Sequence, residues 1–287
     1  MEAEFEEKEY ESPLIHQLMM ESNNMWSPGQ VFEGNFGIDT SLEVLRPDFW
    51  KTIGHFDYPN SVILSDYNFG YVWRKIKRKR KLPDFSLNLF LQIKRPEGLK
   101  NRPRNLKALG LRSPYWRFGI KKHQQELLMQ LARKLNNRAF VAYASPAFHL
   151  ANDLYTNTRN NTLVENSTFV RAERLNGHYK WVYDCSGSNG IACSKPQRIE
   201  DEYFFNEINN AIKKNNNEKN NENENLIQLE QSIIEISSKS RKSNYIANEI
   251  LFRYESIVEM EISKESKSYI LIKIFANLTN SNWITLG

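Results

Sequence analysis

Only two cysteines, Cys185 and Cys193, occur in 287 residues. That excludes a disulfide-stapled scaffold and points to a reducing, cytoplasmic setting. With His178 upstream they give three loosely spaced ligands. A structural zinc site takes four in paired short spacings, so the cysteines read as incidental to a hairpin or loop. No apolar run approaches the roughly 18 residues of a membrane span, and no membrane partner is expected. The acidic start, Met1-Glu2-Ala3-Glu4, resembles neither a secretory signal nor a transit peptide. Internal repeats, a Gly-rich phosphate loop and a Gly-x-Ser-x-Gly nucleophile turn are also missing, which removes solenoids, P-loop enzymes and α/β-hydrolases.

What the chain does have is charge in blocks. The net charge is +5, compatible with a polyanionic partner, and its distribution says more than its total. The first dozen residues are acidic, whereas residues 74–122 are strongly basic. Residues 73–81 hold seven cations in nine positions: Arg74, Lys75, Lys77, Arg78, Lys79, Arg80 and Lys81. More follow at Arg95, Lys100, Arg102, Arg104, Lys107, Arg112 and Arg117, interleaved with Tyr115 and Trp116. Such cations neutralise phosphates and release counterions, positioning a duplex without reading its sequence. The other reading is a solvated charged loop, with the two aromatics as core anchors.

Residues 89–96, Leu-Phe-Leu-Gln-Ile-Lys-Arg-Pro, read as a strand covered on both faces. Side chains alternate along a strand, so Gln92 and Lys94 share one face about 7 Å apart. A buried amide and amine pointing the same way are costly unless something uses them. Upstream, residues 33–39 supply two carboxylates, Glu33 and Asp39, around a Gly37 turn. Asp84, in a literal Pro-Asp pair eight residues before Gln92, is the alternative acid. Downstream, Leu127, Leu128, Leu131 and Leu135 sit at helical spacing over residues 122–136, with Asn136 and Asn137 as the stop. Residues 139–143 read as a second buried strand ended by Ser145-Pro146. Strand, helix, strand at this spacing is a crossover unit in a parallel sheet.

Acid, acid, amide and lysine in this order resemble the active site of the PD-(D/E)XK nuclease superfamily, in its Gln-x-Lys variant. The resemblance spans roughly residues 5–150. It implies an α/β fold: a mixed central sheet with flanking helices, a restriction-endonuclease-like core, and a C-terminal extension. It further implies a metal-dependent DNA endonuclease that hydrolyses phosphodiester bonds. Asp39, Gln92 and Glu33 would hold Mg²⁺ (or Mn²⁺) through hard oxygens, and Lys94 would stabilise developing negative charge. Asp39, Gln92 and Lys94 are then expected together at one edge of a sheet. Some nucleases of this superfamily also carry a glutamine on the following helix, here Gln124 or Gln125. The stand-alone domain, rich in Asn, Lys and Glu, resembles effector subunits of bacterial anti-phage or restriction systems. Those imply DNA and a sensor or ATPase protein as partners, and a homo-oligomer is allowed. The alternative is a catalytically inactive nuclease-fold subunit that binds DNA or a partner protein as a scaffold or regulator.

The expected organisation is a nuclease-like domain over 1–210 with a basic insertion near 51–86. An Asn-rich linker or loop follows over 211–225, then a C-terminal α+β portion over 226–287. Residues 2–24 look partly helical, with Pro13 breaking or starting the helix. Residues 178–183 read as a strand. The polar tract 213–225 reads as a loop, residues 226–236 and 244–255 as helices, and 268–275 as a strand. That strand either returns to the main sheet or joins a small subdomain. His149, just past the second strand, is either a site residue or a hydrogen-bonded structural one.

Overall fold

The structure, a computed structural model, describes residues 1–21, 25–26, 41–42, 62–63, 87–216, 222–259 and 264–286. The chain divides into two compact units, Met1–Trp26 with Asp84–Gly287, and Ser27–Pro83. In the second unit the described elements are β2 (Ser41–Leu42) and β3 (Val62–Ile63), paired antiparallel.

The first unit is mixed α/β. Its main sheet is built on β4 (Leu87–Ile93) and β7 (Ala139–Pro146), which run parallel with Leu89 opposite Phe140 and Gln92 opposite Tyr143. Helix α3 (Lys122–Leu135) makes the crossover between them. Its leucine stripe is buried, and Asn136 ends it at a positive φ of 48°. Asn tolerates positive φ better than most residues. Strand β8 (Ser167–Arg171) continues the sheet beyond β7. On the other side of β4 lies β12 (Asn282–Leu286), then β1 (Met25–Trp26), both antiparallel to their neighbours. The order is β1-β12-β4-β7-β8.

A second sheet, wholly antiparallel, was not anticipated from sequence. It runs β11 (Gln197–Ile199), β10 (Gly190–Cys193), β9 (Lys180–Tyr183), β6 (Tyr115–Gly119), β5 (Glu97–Leu99). It has a small core of its own, with Leu111, Tyr115, Val182 and Ile191, capped by the short helix α2 (Arg104–Ala108). Tyr115 and Trp116 are strand residues here. Tyr115 is buried, and Trp116 stacks on Tyr183 with centroids 6.0 Å apart. At Gly190 a Cβ would lie 2.3 Å from the Trp181 ring and 2.7 Å from the Val182 carbonyl, so only glycine fits.

Alternation along β4 divides the packing. Leu87, Leu89, Leu91 and Ile93 enter a core with Tyr10, Leu14 and Leu18 of α1 (Glu7–Glu21). Leu154 of α4 (Ala151–Arg159) joins that core, as do Phe204 and Ile208 of α5 (Phe204–Asn216). Asn88, Phe90, Gln92 and Lys94 alternate with that apolar set, in contact with Trp283, Phe275, Gln124 and Tyr143. The helices α6 (Glu222–Ser240), α7 (Tyr245–Val258) and α8 (Lys264–Leu278) complete the unit.

Three sequence expectations are corrected. Residues 268–275 are helix α8, not strand. Their apolar run is continuous, so periodicity alone is ambiguous, but the buried positions 268, 269, 271, 272, 275, 276 and 279 follow a helical stripe. The returning strand is β12 instead. Pro13 neither starts nor breaks α1 but lies inside it. Burial of Tyr10, Leu14 and Leu18 on either side holds the helix through the missing N–H. The tract 213–225 is helical at both ends, because α5 runs to Asn216 and α6 starts at Glu222.

Candidate functional site

Gln92 sits near the C-terminal end of β4, wholly buried. Its Nε2 donates to Gln124 Oε1 at 2.8 Å and to the Thr279 carbonyl at 2.9 Å. A carbonyl only accepts, so the amide nitrogen must face Thr279, and this fixes which way the group points. Its Oε1 is then left buried with no hydrogen-bond partner among the described residues. An orphaned buried acceptor of this kind forfeits about 1–3 kcal/mol of desolvation unless something binds it.

Lys94 follows two residues on, 7% exposed. Its backbone N–H continues the ladder to the Ala144 carbonyl at 2.8 Å, and its Nζ lies 5.8 Å from the Tyr143 ring centroid. Among the described residues no carboxylate pairs with that amine. Burial lowers its pKa to about 8; Glu7 opposes the shift and Lys121 adds to it. The amine is thus poised near neutrality, as a group that meets reacting charge should be.

Glu7, the first residue of α1, was not singled out from sequence. It is one of six acids between Glu2 and Glu11, and nothing in their spacing separates it from the rest. Its carboxylate Oε1 accepts from Asn280 Nδ2 at 3.0 Å. Gln124, which lies in the first turn of α3, accepts from Gln92. Gln125 is occupied elsewhere, accepting from the Tyr143 hydroxyl and donating to the Ala172 carbonyl at 2.6 Å.

No family model, curated protein or solved structure matches this chain.

Glu33, Asp39 and Asp84 lie outside the described residues, as do Arg74, Lys75, Lys77, Arg78, Lys79, Arg80 and Lys81. Both neighbours of β4 are known, however, and neither comes from the segment before it. The resemblance implies an aspartate hairpin leading into the Gln-x-Lys strand. The position beside β4 opposite β7 is held by the C-terminal strand β12. Among the described residues no three His, Cys, Asp or Glu side chains gather as a metal group. The fit to a hard divalent cation rests on the Gln92 oxygen.

The remaining candidates are structural in different degrees. Arg95 pairs with Glu6 at 3.2 Å and donates to the Ala3 carbonyl, while its Nε is buried without a partner among the described residues. Arg102 donates to the Leu111 carbonyl at 2.9 Å. Arg104 is exposed at the start of α2. His149 packs on Gly98, where a Cβ would come within 2.8 Å of its ring, and accepts from Trp116 Nε1 at 3.3 Å. That is a structural histidine's setting. Cys185 is exposed and Cys193 buried, both as free thiols. A cavity of about 420 Å³ opens beside Arg95, lined also by Glu97, Arg117, Phe118, Gly119 and Lys180. Arg117 forks onto Glu97 there at 2.7 and 3.0 Å, holding that carboxyl below its usual range. Phe118 touches Tyr143, the ring under Lys94, at a centroid distance of 5.9 Å.

Proposed function

We propose that the chain hydrolyses DNA phosphodiester bonds with a divalent cation, Mg²⁺ or Mn²⁺, at a centre built on Gln92 and Lys94. One observation carries the reading: a buried Gln92 Oε1 and a buried Lys94 amine, neither with a hydrogen-bond or carboxylate partner among the described residues, lie two residues apart at the end of β4. Gln92 Oε1 would be one ligand, and the resemblance assigns the carboxylate ligands to Asp39 and Glu33. When bound, the cation polarises the phosphate and lowers the pKa of attacking water. Lys94 acts on the charge that develops at the phosphoryl oxygens, in a site where burial strengthens the interaction. Gln124 holds the Gln92 amide in place. The partners of this reading are DNA and a sensor or ATPase subunit of a bacterial defence system. Among the described residues no helix is long and apolar enough to cross a membrane.

A second reading is favoured by a separate observation. The Gln92 amide nitrogen is fully used in holding α3 and the turn after α8, as in a nuclease-fold scaffold without catalysis. Supercoiled plasmid incubated with the chain separates the two. Catalysis predicts open-circular and linear products with Mg²⁺ and none with EDTA. Retained DNA binding with no product at any Mg²⁺ or Mn²⁺ concentration assigns the scaffold.

The basic block gives a further expectation. Changing Lys77, Arg78, Lys79 and Arg80 to Ser should weaken binding equally for two unrelated duplexes. It should also flatten log affinity against log salt by about 0.9 for each phosphate no longer neutralised. Unchanged slopes across a salt series would assign the block to a protein partner or to solvation.

A further inference from the structure

The cavity beside Arg95 has a stretch of wall with no side chain on it. Glu97 of β5 pairs with Arg117 of β6, and Gly119 of β6 pairs with Lys180 of β9. Paired residues point to one face of a sheet and residues two apart share it, so Glu97, Arg117, Gly119 and Lys180 lie on the same face. Gly119 is exposed, its φ is not positive, and no described atom lies within 4 Å of the place a Cβ would take. Neither backbone strain nor a close neighbour calls for glycine there. Its effect is to leave the space between Arg117 and Lys180 clear. Three cations and two carboxylates line the cavity. Arg117 spends its Nε and one Nη2 hydrogen on Glu97, and the rest of its guanidinium can still donate. Arg95 gives its Nη groups to Glu6 and the Ala3 carbonyl, while its buried Nε has no partner among the described residues. Glu2 is exposed. Lys180 is the cation left over: its Nζ lies 5.6 Å from the Tyr179 ring centroid, and among the described residues no carboxylate pairs with it.

We propose that this cavity seats a phosphoester group, held between the Lys180 amine and the open side of the Arg117 guanidinium over the bare backbone of Gly119. A phosphate spreads its charge over several strong acceptor oxygens, so it can meet an ammonium and a guanidinium at once. Three cations against two carboxylates leave one positive charge on the lining, which matches the single negative charge of a diester. The volume, about 420 Å³, falls in the range of small-molecule sites and has room for a nucleotide around that phosphate. The phosphate has two possible sources, a DNA strand and a free nucleotide. Arg95 follows Lys94 directly in the chain, so a strand reacting at Lys94 would pass the cavity with a neighbouring phosphate. That choice of source rests on the function proposed above; the seat itself does not.

The test is titration calorimetry of the full chain in EDTA, with thymidine 5′-phosphate, thymidine and a short single-stranded oligonucleotide as probes. Wild type is compared with Lys180→Met and Gly119→Leu. The first removes a charge and keeps the stem. The second removes space and leaves the charge alone, and the open surroundings of Gly119 should let it fold, as circular dichroism would confirm. Gly119→Val takes its place if leucine unfolds the chain. Wild type should bind the oligonucleotide, the nucleotide or both, and not thymidine. Both variants should weaken that binding by about tenfold or more, the scale of one lost charge-assisted hydrogen bond. An effect on thymidine 5′-phosphate supports the seat with a free nucleotide as source, and an effect confined to the oligonucleotide supports it with a strand phosphate. Weakening in Lys180→Met with none in Gly119→Leu would mark unspecific surface attraction and overturn the proposal. So would thymidine binding as tightly as its phosphate, or no binding of any probe by wild type. No metal is present and neither position belongs to the Gln92–Lys94 centre, so failure here and failure of the plasmid assay are seen separately.

Discussion

Lys94→Met is expected to lower DNA cleavage by about 10²–10³-fold while leaving DNA binding intact and raising the melting temperature at pH 7. The two effects have one origin. Burial holds the amine's pKa at about 8 against an ordinary 10.5, so the folded chain pays to keep it charged. Below pH 8 the amine is protonated in both states and the penalty is full, about 3 kcal/mol at most. Between pH 8 and 10.5 the unfolded chain binds the extra proton, so stability rises with pH. Above 10.5 the penalty is gone. Methionine fills a similar volume without the charge, so its advantage should be present at pH 7 and vanish by about pH 10.5. Thermal melts across that range, beside single-turnover cleavage of a labelled duplex, check both. A variant that melts lower at pH 7 and cleaves like wild type would mark Lys94 as structural.

Trp283→Ala should destabilise the first unit by about 3–5 kcal/mol, a large share of the stability of any domain. Trp283 is 2% exposed on β12, packs on Tyr269 at 5.4 Å between ring centroids, and donates its indole N–H to Asn88 Oδ1 at 2.9 Å. Truncation opens a cavity and leaves the buried Asn88 oxygen short of a donor. Since β12 pairs with β4 from Leu87 to Leu91, the loss is felt at the strand that leads into Gln92 and Lys94. Urea unfolding gives the number. A change under about 1 kcal/mol would mean that the C-terminal strand is not part of the core.

How much of this was legible in sequence follows from the range of each signal. The β4–α3–β7 unit was readable because its cues are local: a continuous apolar strand, a leucine stripe at helical spacing, an Asn stop and a second apolar strand. The shared face of Gln92 and Lys94 followed from alternation alone. Gln124 was within reach because it opens the helix after that strand. Thr279 was not, since its carbonyl reaches Gln92 from 187 residues away, across a turn that no local pattern announces. Helix α8 was misread because an unbroken run, Tyr-Ile-Leu-Ile-Lys-Ile-Phe, satisfies either period until its packing partners are known. Of the second sheet only β9 was read, within residues 178–183; its other strands, three to five residues long, are too short to show a period.

The central claim is that the orphaned Gln92 oxygen belongs to a metal-dependent centre. Mn²⁺ binding followed by electron paramagnetic resonance tests it without a substrate or partner. Wild type and Gln92→Met would be titrated side by side, with circular dichroism confirming that both are folded. The account predicts one bound Mn²⁺ per wild-type chain, displaced by Mg²⁺, and affinity at least about tenfold weaker in Gln92→Met. Equal binding by the two proteins, or none by wild type, would contradict it.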